Sequence, residues 1–178
     1  MPAKYVFDTN IYIHCLQDRE FALKHADQYS HFLPSTYFSS VVAQELLVGC
    51  MDDLAVRRVQ NFLFPFERVR RIINPTYGNW KDAALIVVKI ALRRPNLKSK
   101  KVALINDTLI ALSCRDIGAT LVTLNLEDFE LIRGFASVPL PGILNESRSV
   151  YINIFQRLGD RLFFGLLEQL LEFRLQHL

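Results

Sequence analysis

The chain has 178 residues, 51% of them hydrophobic and 22% charged, with a net charge of +3 and a sequence pI near 8.8. Length and usage fit about one globular domain able to bury roughly 70% of its extended surface. They exclude disorder, collagen-like repeats and any need for a disulfide or metal staple. Three separated cysteines, Cys15, Cys50 and Cys114, offer no CxxC spacing and no zinc knuckle, and a reducing cytoplasm is the expected setting. No signal peptide is read at the N-terminus, and no apolar run approaches the roughly 18 residues that span a membrane. The charge permits an anionic partner without requiring one.

Residues 4–7, Lys-Tyr-Val-Phe, read as a short buried strand ending at Asp8. Residues 11–16 follow as a helix capped by Thr9 or Asn10, and 19–33 as a further helix stopped by Pro34. Tyr37-Phe38 is the second strand, and residues 41–48 form a helix with Ser40 as cap and Gly49 as stop. Residues 57–64 read as helix, 69–73 as the third strand, and 77–94 as a longer helix broken at Pro95. Asn106 is read as the cap of a helix over 107–117 that closes at Gly118. Residues 121–123 form the fourth strand, and 135–138 a fifth. Strands alternating with helices predict an α/β domain with a mainly parallel sheet over 1–142.

Four acids stand in unusual places. Asp8 ends a buried strand, where a carboxylate has no packing role. Glu45 lies beside Val41 and Val42 on what should be an apolar helix face. Asp107 opens a helix whose inner stripe is Ile110, Ala111 and Cys114, and Asp128 follows the fourth strand with Asn125 between. Open α/β sheets place ligand crevices at such strand ends. Convergent carboxylates without His or Cys select Mg²⁺ or Mn²⁺ over zinc. Such ions activate water and offset charge on a phosphodiester. Taken singly, Asp8 and Asp107 read as helix caps, Glu45 as a partly exposed helix residue and Asp128 as a surface charge; only their joint placement points to a site.

Residues 6–13 (Val-Phe-Asp-Thr-Asn-Ile-Tyr-Ile) resemble the opening motif of PIN-domain nucleases. Residues 39–49 resemble the second motif, 106–111 the third, and 121–129 the fourth. The resemblance covers about residues 4 to 140. It implies a three-layer α/β/α fold with a central sheet of four to five strands, and Mg²⁺- or Mn²⁺-dependent RNA cleavage. Asp8, Glu45 and Asp107 match the family's acidic positions. Asp128 is taken as the fourth, because Asn125 stands where many relatives carry an acid. Thr9 and Thr123 match hydroxyl positions that orient the acids, and Asn10 ties the first turn together, with Asn125 lining the pocket. A compact chain of this kind resembles VapC-type toxins, which implies an antitoxin partner. An RNA-binding or scaffold module with little turnover is the alternative, against which the intact acidic set argues.

Residues 93–101 carry Arg93, Arg94, Lys98, Lys100 and Lys101 just before Asp107, a basic run suited either to an RNA backbone or to a solvated loop. From 150 to 178 a C-terminal amphipathic helical extension is expected. Ile152, Phe155, Leu162, Phe163, Leu166, Leu167, Leu170, Leu171 and Leu175 recur at helical spacing, with Asp160, Arg161, Glu168, Glu172 and Gln176 opposite. That stripe folds back, pairs with a second subunit in a homo-oligomer, or binds a partner protein. Its mixed charges argue against a membrane surface.

Overall fold

The structure is a computed structural model, described here for residues 3–17, 33–136, 140 and 142–145. Strands β1 (Tyr5–Phe7), β2 (Thr36–Ser39), β3 (Ile72–Ile73), β4 (Thr120–Thr123) and β5 (Ile143–Asn145) form one sheet in the order β3-β2-β1-β4-β5, every pair parallel. Between them run α1 (Thr9–Gln17), α2 (Ser40–Val48), α3 (Asp53–Arg68), α4 (Tyr77–Arg93), α5 (Lys101–Ile117) and α6 (Leu126–Phe135). The chain moves outward from β1 to β3, then returns past β1 to β4 and β5. Right-handed crossovers in opposite directions put α1–α3 on one face and α4–α6 on the other. The contacts agree: α2 packs on α1 and α3, while α4, α5 and α6 pack on one another. The result is a three-layer α/β/α arrangement with a parallel sheet: the alternation of strands and helices implies the sheet, and the motif resemblance implies the three layers.

The central strands are apolar because both faces are covered. Val6 and Leu121 are fully buried on adjacent strands. Phe38 on β2 meets Phe62 and Phe66 of α3 with ring centroids 5.7 and 5.2 Å away, and Tyr12 of α1 at 5.1 Å. On the other face Ile86 and Ile90 of α4, Leu109 and Leu112 of α5 and Phe129 and Ile132 of α6 close the core.

Several boundaries differ from the sequence reading. The third helix extends from Asp53 to Arg68 through Pro65, because burial of Phe62, Leu63 and Phe66 outweighs the one helical bond that proline removes. Arg70 then turns with φ 56°, so β3 is only Ile72–Ile73 instead of 69–73. The helix expected to open at Asp107 begins at Lys101, so Asn106 is not its cap and Asp107 not its first residue. Phe135 ends α6 instead of starting a strand, since Phe129 and Ile132 at helical spacing carry the helix on. The fifth strand is β5, which takes the sheet past residue 142, where the sequence reading ended the domain. The helix expected over 19–33 falls almost wholly outside the described residues, and the extension over 150–178 does so entirely.

Candidate active site

Reversal of strand order puts a crevice between the C-terminal ends of β1 and β4. Asp8 is the first residue past β1, and its backbone N–H donates to the Val122 carbonyl at 2.9 Å, which stitches the two strand ends together. Its carboxylate accepts from the Thr9 backbone N–H at 2.7 Å, from Asn10 Nδ2 at 2.7 Å and from Thr123 Oγ1 at 2.8 Å. Thr123 also accepts from Asn10 Nδ2 at 3.1 Å and from the Asn125 backbone N–H at 2.9 Å. Asn10 in turn accepts from the Leu124 backbone N–H at 3.2 Å. A side chain read as tying one turn together thus ties α1 to the exit of β4.

Glu45 lies in the second turn of α2, a helix capped by the Ser39 side chain, not by Ser40 as the sequence reading had it. Its two carboxylate oxygens each accept one side-chain donor: Thr9 Oγ1 at Oε2, and Asn106 Nδ2 at Oε1, 2.8 Å away. Asp128 lies in the first turn of α6, where carboxylates are favoured by the helix dipole. Asn125 caps that helix through the Asp128 N–H and donates Nδ2 to Asp128 Oδ2 at 2.9 Å. Its role is to hold Asp128, which is more specific than lining a pocket.

The four acids share one electrostatic neighbourhood. Burial first, and then the nearby Asp8, Asp128 and Glu45 carboxylates, push the Asp107 carboxyl up to about 8, against a small opposing pull from Lys100. Burial likewise raises Asp8 to about 6; its hydrogen bonds from Thr123 and Thr9 oppose that rise and the Glu45 charge adds to it. Burial also raises the Tyr12 hydroxyl and the Cys114 thiol, so both stay protonated and belong to the core.

The basic run divides. Lys100 Nζ lies 3.8 Å from Asp128 Oδ1 at the mouth of the cluster. Arg93 instead lies over the Phe135 ring, 5.6 Å from its centroid. Arg94, Lys98 and Lys101 are exposed around the short 3-10 turn Pro95–Lys100. The donor chemistry fits a hard divalent cation: four carboxylates, two of them with pKa values raised by burial and by neighbouring carboxylates. As placed, no three His, Cys, Asp or Glu side chains among the described residues come together tightly enough to chelate one ion.

Two features escaped the sequence reading. Asn106 reads as a cap in the sequence because its local signals start the helix six residues late. Lys100 was assigned to the basic run alone, though it also faces the acids.

The model of the PIN domain matches residues 5–134. The chain belongs to the PIN domain family. The match takes in Asp8, Glu45, Asp107 and Asp128, so the acids of this PIN domain come from the matched region itself. No curated protein matches the chain. Among solved structures, DNA-bound VapBC from Salmonella typhimurium contains a similar chain at 19% identity and TM-score 0.55, covering 81% of this chain and 98% of that one. VapBC-1 from nontypeable Haemophilus influenzae contains another at 21% identity and TM-score 0.51, with the same coverage. Both likenesses show a shared fold. No helix among the described residues is long and apolar enough to cross a membrane.

Proposed function

We propose that this PIN domain is a Mg²⁺- or Mn²⁺-dependent endoribonuclease of the VapC type, acting in the cytoplasm under the control of an antitoxin. The observation that carries the reading is Asp107, whose carboxyl feels Asp8, Glu45 and Asp128 at once. A binding module has no reason to bear that repulsion. Asp8, Glu45, Asp107 and Asp128 would hold the cation. When bound, a divalent ion lowers the pKa of water and offsets charge that builds on a phosphodiester under attack.

The remaining work falls to the chain's own groups. Thr123, Asn10 and the Thr9 N–H hold Asp8 at the end of β1, and Thr9 Oγ1 orients Glu45. Asn125 fixes Asp128. Lys100, with its side chain 56% exposed, is free to grip a substrate phosphate beside the acids. Arg94, Lys98 and Lys101 extend that track along the RNA backbone, and Arg93 supports it from its place over Phe135. The motif resemblance and the fold shared with chains of VapBC complexes support an antitoxin partner. The apolar stripe in the sequence of residues 150–178 supports a homo-oligomer.

The test is incubation of purified protein with total RNA in Mn²⁺, Mg²⁺ or EDTA. Cleavage with metal that stops in EDTA, and falls at least about a hundredfold in Asp107→Asn, is expected. Undiminished cleavage in EDTA refutes the metal. RNA binding with no cleavage under any condition favours the scaffold reading.

A further inference from the structure

Asn106 sits at the sixth position of the 17-residue helix α5, where asparagine is a poor helix former and performs no capping. It is half-buried, and its amide donates to Glu45 Oε1 at 2.8 Å across the junction of α2 and α5. We infer that Asn106 is a positioning residue that, with Thr9, fixes the Glu45 carboxylate for cation binding, one donor on each oxygen. The inference rests on the proposed function for its consequence, and on the hydrogen-bond geometry for its mechanism.

Three features lead to it. Glu45 has three side-chain torsions and stands between buried neighbours, Val41, Val42 and Leu46, none of which can hold its polar end. Thr9 and Asn106 are its only side-chain hydrogen-bond donors among the described residues, and they come from different layers of the fold. Successive residues on a helix point about 100° apart. Asn106 therefore turns toward α2 while Asp107 joins the electrostatic neighbourhood of Asp8 and Asp128. One turn of α5 supplies an acid and steadies another.

The choice of an amide has a chemical reason. A lysine or arginine at 106 would hold Glu45 equally well, yet would add a positive charge that competes with the cation. An amide donor fixes the carboxylate and leaves its charge in place. Outer partners of metal-binding carboxylates usually matter about 10–100-fold in metal affinity or activity.

The experiment is a double-mutant cycle on the full chain: wild type, Asn106→Leu, Glu45→Ala and the double variant, with Asn106→Ala as a smaller second probe. Melting in EDTA reads the coupling without metal or RNA, and calorimetric Mn²⁺ titration reads the site. We expect Asn106→Leu to bind Mn²⁺ about tenfold more weakly, and to lower kcat for RNA with KM nearly unchanged. In the Glu45→Ala background the same change should have little further effect on melting or on Mn²⁺ affinity, because the acceptor that Asn106 holds has gone. Additive melting effects overturn the inference. So does wild-type Mn²⁺ affinity in both Asn106 variants. If wild type itself neither binds Mn²⁺ nor cleaves RNA, the proposed function fails, and the EDTA cycle still decides whether Asn106 holds Glu45.

Discussion

Replacing Asp107 with asparagine removes a carboxyl whose folded pKa, about 8, stands far above its ordinary value of 3.8. A raised carboxyl pKa means that the folded chain holds a proton the unfolded chain has released. That contribution to stability is fully present below pH 4 or so, and is lost as pH rises through about 8. Each pH unit over which the two states differ by one proton is worth about 1.4 kcal/mol. Partial titration near 8 reduces the total between pH 8 and pH 6 to about 2 kcal/mol. For a domain of this size that corresponds to roughly 4–8 °C in melting temperature. Asparagine does not titrate, so groups outside the acidic cluster cancel in the difference between variant and wild type. Melting by circular dichroism in EDTA at stepped pH should show Asp107→Asn gaining on wild type by that amount as pH rises from 6 to 8. A difference that stays constant over the range means that Asp107 is ionised throughout, and the buried, crowded carboxylate is refuted. Asp8, raised to about 6, contributes stability that is lost as pH rises through 6 in both proteins, and that contribution largely cancels in the difference.

Phe38→Ala should cost about 3–5 kcal/mol, because a ring 1% exposed and packed against Phe62, Phe66 and Tyr12 leaves a cavity. Chemical denaturation measures it, and a loss under about 1 kcal/mol contradicts the packing. Lys100→Gln should weaken RNA binding and reduce the slope of log affinity against log salt by about one, as loss of one phosphate contact does. An unchanged slope removes Lys100 from the RNA track.

The apolar pattern made the core legible. Val6, Phe38 and Leu121 lie in short apolar runs, and such runs between helices have few places to go but a covered parallel sheet. The acids were legible because each contradicts its surroundings: Asp8 ends a buried strand and Glu45 interrupts an apolar face. Boundaries were harder, because local signals compete with burial. The helix read over 57–64 ends short of Pro65, yet Phe66 beyond it is core, and Asn106 reads as a cap until Leu104 is seen buried in the preceding turn. The partners of the acids were legible only in part. Thr123 and Asn10 lie 113 residues apart in sequence and 3.1 Å apart in space, and periodicity carries no trace of such a pairing.

The strain held in Asp107 also bears on heredity. Substitutions among buried residues usually lower the amount of folded protein in a cell, since a loss of one or two kcal/mol suffices to expose a chain to proteases. Asp107 reverses that rule: a neutral side chain there relieves repulsion and removes no hydrogen bond to any of the described residues. Alleles that silence the site therefore leave a stable, abundant chain, while alleles at the fully buried Leu109 or Leu112, further along the same helix, lose chain and site together. A map of abundance across all substitutions would mark Asp107 as a tolerant position inside an intolerant helix. The gene can thus lose its chemistry and keep its fold.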